Sequence, residues 1–116
     1  MSDQCVVKGW IGSAAQGVWS IQTFEEAGVT IRGTTAHSEP GKTVAELSAG
    51  IATPQVRVSS VARIRGAGGN VTPTRRNSIQ PYHVTITGLT LEQLDAVFDA
   101  PIPNPPPVPT ASTPKG

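Results

Sequence analysis

Two imidazoles and a run of arginines are the side chains here whose types and spacing suit chemistry. His37 and His83 are the only histidines. In Tyr82-His83-Val84-Thr85-Ile86-Thr87 the apolar residues alternate with His83, Thr85 and Thr87, so on a strand those three share one face. Arg57, Arg63 and Arg65 share one parity over Val56–Arg65, which a strand would also place on one side. If the two strands pair, His83 looks across at Arg63 or Arg65. A histidine titrating near about 6.5, beside arginines and hydroxyls, is what cleavage of RNA through its 2′-hydroxyl requires. One group removes the 2′ proton, another protonates the leaving oxygen, and cations stabilise the phosphorane. His37, Glu39 and Glu46 are the candidates for the second acid/base. No metal or other cofactor enters this chemistry.

Other motifs carry less. Ala36-His37-Ser38-Glu39-Pro40-Gly41-Lys42-Thr43 fits a permissive phosphate-loop pattern, but Glu39 and Pro40 stand where amide donors should face phosphate. No hydrophobic strand ending in Asp follows to hold magnesium. The segment reads as a turn capped by Thr43. Two histidines and a single cysteine, Cys5, provide neither a disulfide nor a cysteine-built metal site. Ser38 lacks a base and an orienting partner for nucleophilic work. Trp10 and Trp19 read as core residues rather than base-stacking platforms.

Charge is segregated along the chain although its total is only +1. Residues 51–90 carry Arg57, Arg63, Arg65, Arg75 and Arg76 with no acid, a local charge of +5. Both flanks are acidic, −2 over residues 1–50 and −2 over residues 91–116. Arginine presents a planar fork suited to phosphate, so RNA is one expected partner. A face of three arginines repels itself unless anions lie across it. Those anions are phosphates, an acidic protein partner such as an immunity protein, or this chain's own Glu25, Glu26, Asp95 and Asp99.

The elements that must position these groups are short. Charged residues are only 15% of the chain, and its 12 glycines and 11 prolines speak for short strands and many turns. Strands are expected over Cys5–Ile11, Val18–Phe24, Val29–Arg32, Val56–Arg65 and Tyr82–Thr87. Thr43-Val44-Ala45-Glu46 and Thr90-Leu91-Glu92-Gln93 are capping boxes, which predict two short helices. The first should stop near Gly50 in a left-handed cap. The second should dock a stripe of Leu91, Leu94, Val97 and Phe98 on the sheet. From Pro101 the composition turns proline-rich, which predicts an extended tail over residues 101–116. The expectation is one folded domain over residues 4–100, α+β to mainly β. Its architecture should be a small antiparallel sheet or open barrel with two short helices. No stretch is long and apolar enough to span a membrane, and the start lacks the pattern of an ordinary secretory signal.

At Asn70-Val71-Thr72-Pro73-Thr74-Arg75-Arg76-Asn77 and Pro81-Tyr82-His83-Val84-Thr85-Ile86 the chain resembles the last strands of small bacterial ribonuclease toxin domains. These are the barnase-, EndoU- and colicin-like nucleases of polymorphic toxins. The resemblance covers about a quarter of the chain. It implies a metal-independent endoribonuclease with His83 as acid/base and Thr85 as an orienting hydroxyl. Arg63 and Arg65, with Arg75 or Arg76, would form the phosphate clamp. The rival expectation is a non-enzymatic structural or interaction protein, a virion or secretion-assembly component. Such a subunit self-assembles by pairing strand edges or laying its proline-rich tail on neighbours.

Overall fold

Adjacent valines explain the centre of the fold. Val6 and Val7 are both fully buried, yet they belong to two different apolar clusters. A strand sends successive side chains to opposite faces, so this strand must be covered on both. That is why its sequence reads as an apolar run without clean alternation.

A computed structural model describes residues 4–11, 19 and 21–104. Among them are strands β1 (Cys5–Trp10), β2 (Gln22–Glu26), β3 (Val29–Ser38), β4 (Gln55–Ser60), β5 (Asn70–Pro73), β6 (His83–Thr87) and β7 (Ile102–Pro103). The helices are α1 (Val44–Ser48), α2 (Val61–Gly66) and α3 (Leu91–Val97). The sheet is antiparallel in the order β5-β6-β3-β1-β4-β7, with β2 paired to the first half of β3. This is the expected mainly antiparallel α+β fold. No helix among the described residues is long and apolar enough to cross a membrane.

Helices α2 and α3 cover one face, packing Val61, Ile64, Leu94 and Phe98 on Val6, Ala36, Val84 and Ile86. Helix α1 covers part of the other, where Leu47 meets Val7 and Val56. Both capping boxes form: the Glu46 amide donates to Thr43 Oγ1 over 3.1 Å, and the Gln93 amide to Thr90 Oγ1 over 3.1 Å. Helix α1 ends on Ala49 in a right-handed conformation, and Gly50 does not take the left-handed cap. Leu91 is 47% exposed, so the stripe on α3 is narrower than expected.

The strand expected over residues 56–65 is also overturned. Residues 56–65 are not a single strand: β4 ends at Ser60, whose Oγ accepts from the Arg63 amide and starts α2. Val56, Val58, Ala62 and Ile64 share a strand parity, but Val61 and Ile64, three apart, fit a helical spacing, and the serine N-cap decides between the two. Among the described residues there are three helices rather than two, and the face of three arginines is not formed. Arg57 lies on β4, whereas Arg63 and Arg65 lie on α2.

At the far edge, Ile102 and Pro103 pair with Val56 and Gln55, and the Asn104 side chain donates to the carbonyls of Ile51 and Thr53. A proline is tolerated there because an edge strand has one side free of ladder bonds. Pairing therefore runs past residue 100, and residues 105–116 lie outside the described residues. Of the strand expected over 18–24, residues 18 and 20 also lie outside them, and pairing begins at Gln22.

Strands β2 and β3 are joined by Ala27 and Gly28 at φ 51° and 82°, the all-positive pattern of a type I′ hairpin. Alanine is poorly suited to left-handed backbone, and asparagine much better. Ala27→Asn is expected to raise stability by about 0.5–1 kcal/mol. Urea denaturation checks this as a higher midpoint at unchanged slope.

Candidate functional site

Pairing of β3 with β6 sets His37 directly opposite His83, and side chains opposite one another across a ladder share a face. Their ring centroids lie 6.0 Å apart with planes at 74°. The two histidines and Thr85 thus come together from segments far apart in sequence.

His83 is only 6% exposed, with Phe24 edge-on at 5.6 Å. Its Nδ1 lies 2.8 Å from the Thr74 carbonyl oxygen. A carbonyl only accepts, so Nδ1 carries the proton, and in the neutral ring Nε2 carries the lone pair. The same Nδ1 is 3.0 Å from Thr74 Oγ1, which is 2.7 Å from Thr85 Oγ1. With Nδ1 donating, the Thr74 hydroxyl is left to donate to Thr85. Burial lowers the His83 pKa, the Thr74 carbonyl partly opposes this, and Arg75, Lys8 and Arg76 lower it further.

His37 is half-buried and lines an open groove of about 410 Å³ with Lys8, Thr35, Ile51, Thr53 and Gln80. Lys8 Nζ donates to Thr35 Oγ1 over 3.3 Å. Burial lowers the Lys8 pKa. Burial, then the charges of His83, Lys8 and Arg76, bring the His37 pKa down to about 4. His37 is therefore uncharged at neutral pH, with an amine close enough to shift its titration. Sequence reading did not single out Lys8, because only the ladder brings β1 beside the histidine of β3. Its isolation in the apolar run Val6-Val7-Lys8-Gly9-Trp10 was the available signal.

The arginines do not converge on this groove. Arg57 is buried against Asp95, and Arg63 Nη1 pairs with Asp99 over 3.0 Å. Arg76 pairs with Glu39 over 2.6 Å and donates to the carbonyls of His83 and Ser38. The Arg75 guanidinium sits 4.9 Å over the Phe24 ring, and its backbone amide donates to Glu26. Arg65 and Arg76 line a separate pocket with Val61, Val71 and Val84. The expected common water-facing side of His83 and the arginines is thus not formed, because helix α2 carries two of the cations away and His83 is covered. Much of the acid-free stretch is neutralised by the chain's own acids, Asp95 and Asp99 among them. Of the other candidate bases, Glu39 is occupied by Arg76, and Glu46 accepts from the Thr43 amide over 2.9 Å.

Comparison with family models, curated proteins and solved structures finds no match to this chain. Among the described residues no three His, Cys, Asp or Glu side chains form a metal-binding group.

The histidine pair makes stability depend on pH. A histidine whose pKa is lowered on folding binds fewer protons folded than unfolded, so stability falls as pH falls through the interval between its two values. For His37 that interval runs from the ordinary value of 6.5 down to about 4. Because His37 is only half-buried and solvent screens part of the effect, stability should fall by about 1 kcal/mol between pH 7.5 and pH 5 from this group, and further from His83. Urea denaturation at the two pH values tests this. In His37→Gln most of the slope should vanish, and an unchanged slope would exclude His37 as its source.

Proposed function

We propose that the protein is a metal-independent endoribonuclease of the toxin type its sequence resembles, acting at the groove of Lys8, Thr35 and His37. One observation carries the reading: an uncharged imidazole and a partly desolvated amine line the same open groove. Neutral His37 is suited to take the proton from a 2′-hydroxyl. The resulting oxygen attacks the adjacent phosphorus, the bond to the 5′-oxygen breaks, and a 2′,3′-cyclic phosphate and a 5′-hydroxyl result. Lys8 offsets the charge that grows on the phosphoryl oxygens. With its pKa lowered, Lys8 is also a better donor than an ordinary lysine for the leaving oxygen's proton. His83 is a positioning residue in this scheme: held by Thr74 and hydroxyl-linked to Thr85, it backs His37 without reaching the groove's solvent.

The test is incubation of the purified protein with total RNA in chelator, followed by a gel and analysis of the new ends. Cleavage with cyclic phosphate ends is expected, slowed about 100-fold or more in His37→Ala. A comparable loss is expected in Lys8→Ala. Intact RNA, or equal cleavage by His37→Ala, would end the proposal.

A non-catalytic interaction protein is the second reading, favoured by one specific observation. His83 is bonded inside the protein like an ordinary core histidine, and acids of the same chain pair with Arg57, Arg63 and Arg76. RNA left intact, with a stable oligomer on size-exclusion chromatography, is the outcome this reading expects.

A further inference from the structure

Two adjoining pockets lie away from the Lys8–His37 groove and share no lining residue with it. One, of about 230 Å³, has Val61, Val71 and Val84 in its lining, with Arg65, Arg76 and Glu39. The other, of about 420 Å³, is lined by Cys5, Val44 and the turn from Pro40 to Thr43, including Lys42. Gln4 and Pro40 belong to both, so the two form one continuous furrow.

Its charge is uneven. Glu39 is the one acid in the furrow's lining, and it is spent on Arg76 at 2.6 Å. Arg65 and Lys42 have no carboxylate within salt-bridge distance among the described residues. Glu46, on which the Lys42 charge acts, is held in the α1 capping box. Lys42 is steadied instead by the Tyr82 ring, 5.7 Å from its Nζ. Two free cations thus flank an apolar furrow of valines and prolines. Arg76, in the same lining as Arg65, is fixed by bonds to the carbonyls of His83 and Ser38.

We propose that this furrow is the docking site of an acidic protein segment, with carboxylates reaching Arg65 and Lys42 and a branched apolar side chain between them. Charge complementarity selects an anion, and the lining selects among anions. A single-stranded nucleic acid is bound by stacking its bases on aromatic platforms, whereas the apolar part of this lining is aliphatic, and the one ring beside it, that of Tyr82, is engaged by Lys42. Partial desolvation strengthens such charge pairs relative to those in open water.

A library of random dodecapeptides displayed on phage, panned against the full chain, tests the inference. Selected sequences should be enriched in Asp and Glu interleaved with Val, Ile or Leu. A fluorescent copy of the best peptide should bind at least tenfold more weakly to Arg65→Glu and to Lys42→Glu, with unfolding midpoints unchanged. His37→Ala should bind it normally, which separates this site from the proposed catalytic groove. No enrichment over the doubly substituted protein would overturn the inference. So would selection of neutral or basic peptides, or displacement of the peptide by oligouridine at equal concentration.

Discussion

Arg57→Leu should lower unfolding stability by about 3–4 kcal/mol, a large share of what a domain of this size possesses. Arg57 is 4% exposed and its guanidinium makes four hydrogen bonds: Nε to the Asp99 carbonyl at 2.8 Å, Nη1 to Asp95 Oδ1 at 2.7 Å, and Nη2 to the carbonyls of Asp95 and Phe98 at 3.2 and 3.1 Å. Two of the four acceptors, the carbonyls of Asp95 and of the C-cap Phe98, belong to the C-terminal end of α3, where a helix runs out of its own amide donors, and the Asp99 carbonyl lies just beyond it. Ser59 Oγ donates to a third carbonyl of the helix end, that of Val97, at 2.7 Å. Strand β4 therefore caps α3 with side chains, and the positive charge also complements the negative end of the helix dipole. The rings of Trp10 and Trp19 lie 4.7 and 5.3 Å from the guanidinium carbon and contribute cation–π attraction.

The carboxylate of Asp95 is the lesser partner, because its side chain is 61% exposed and solvent screens the pair. Asp95→Ala should consequently cost only about 1 kcal/mol. Arg57→Lys keeps the charge but loses the fork, and should fall between the two. Urea denaturation of the three variants decides the matter. Equal losses in Arg57→Leu and Asp95→Ala would mean that the ion pair, not the cap, is what stabilises.

Gly33→Ala should be as damaging, by about 3 kcal/mol or more, and should disturb the histidine pair with it. Gly33 sits where β3 leaves β2 and turns to β6. A Cβ there would overlap the Ile86 carbonyl oxygen and stand 2.8 Å from both the Ile86 carbonyl carbon and Thr85 Cγ2. Neither obstacle is the movable end of a long side chain, so β6 itself must shift. Because Ile86 pairs with Thr34 and His83 with His37 along the same ladder, the shift reaches both imidazoles. The expected result is a lower denaturation midpoint together with changed histidine ring shifts in nuclear magnetic resonance spectra. A soluble variant with wild-type stability and shifts would show that the two strands are not so tightly apposed.

What the residues alone determined here was local. Alternation in Val29–Arg32 and Tyr82–Thr87 reported strands, and two capping boxes reported the starts of α1 and α3, because each signal is complete within a few residues. Ser60 shows where such reading reaches its limit. Residues 56–65 satisfy the spacing of a strand and of a helix, and the choice rests on one hydroxyl accepting the Arg63 amide. The arrangement of the candidate site was decided between distant segments. Arg57 found acceptors at the end of α3, His83 was covered by Phe24 from β2, and Lys8 of β1 came beside Thr35 of β3. Sheet register sets all three, and register is a property of long-range pairing that no stretch of chain carries by itself.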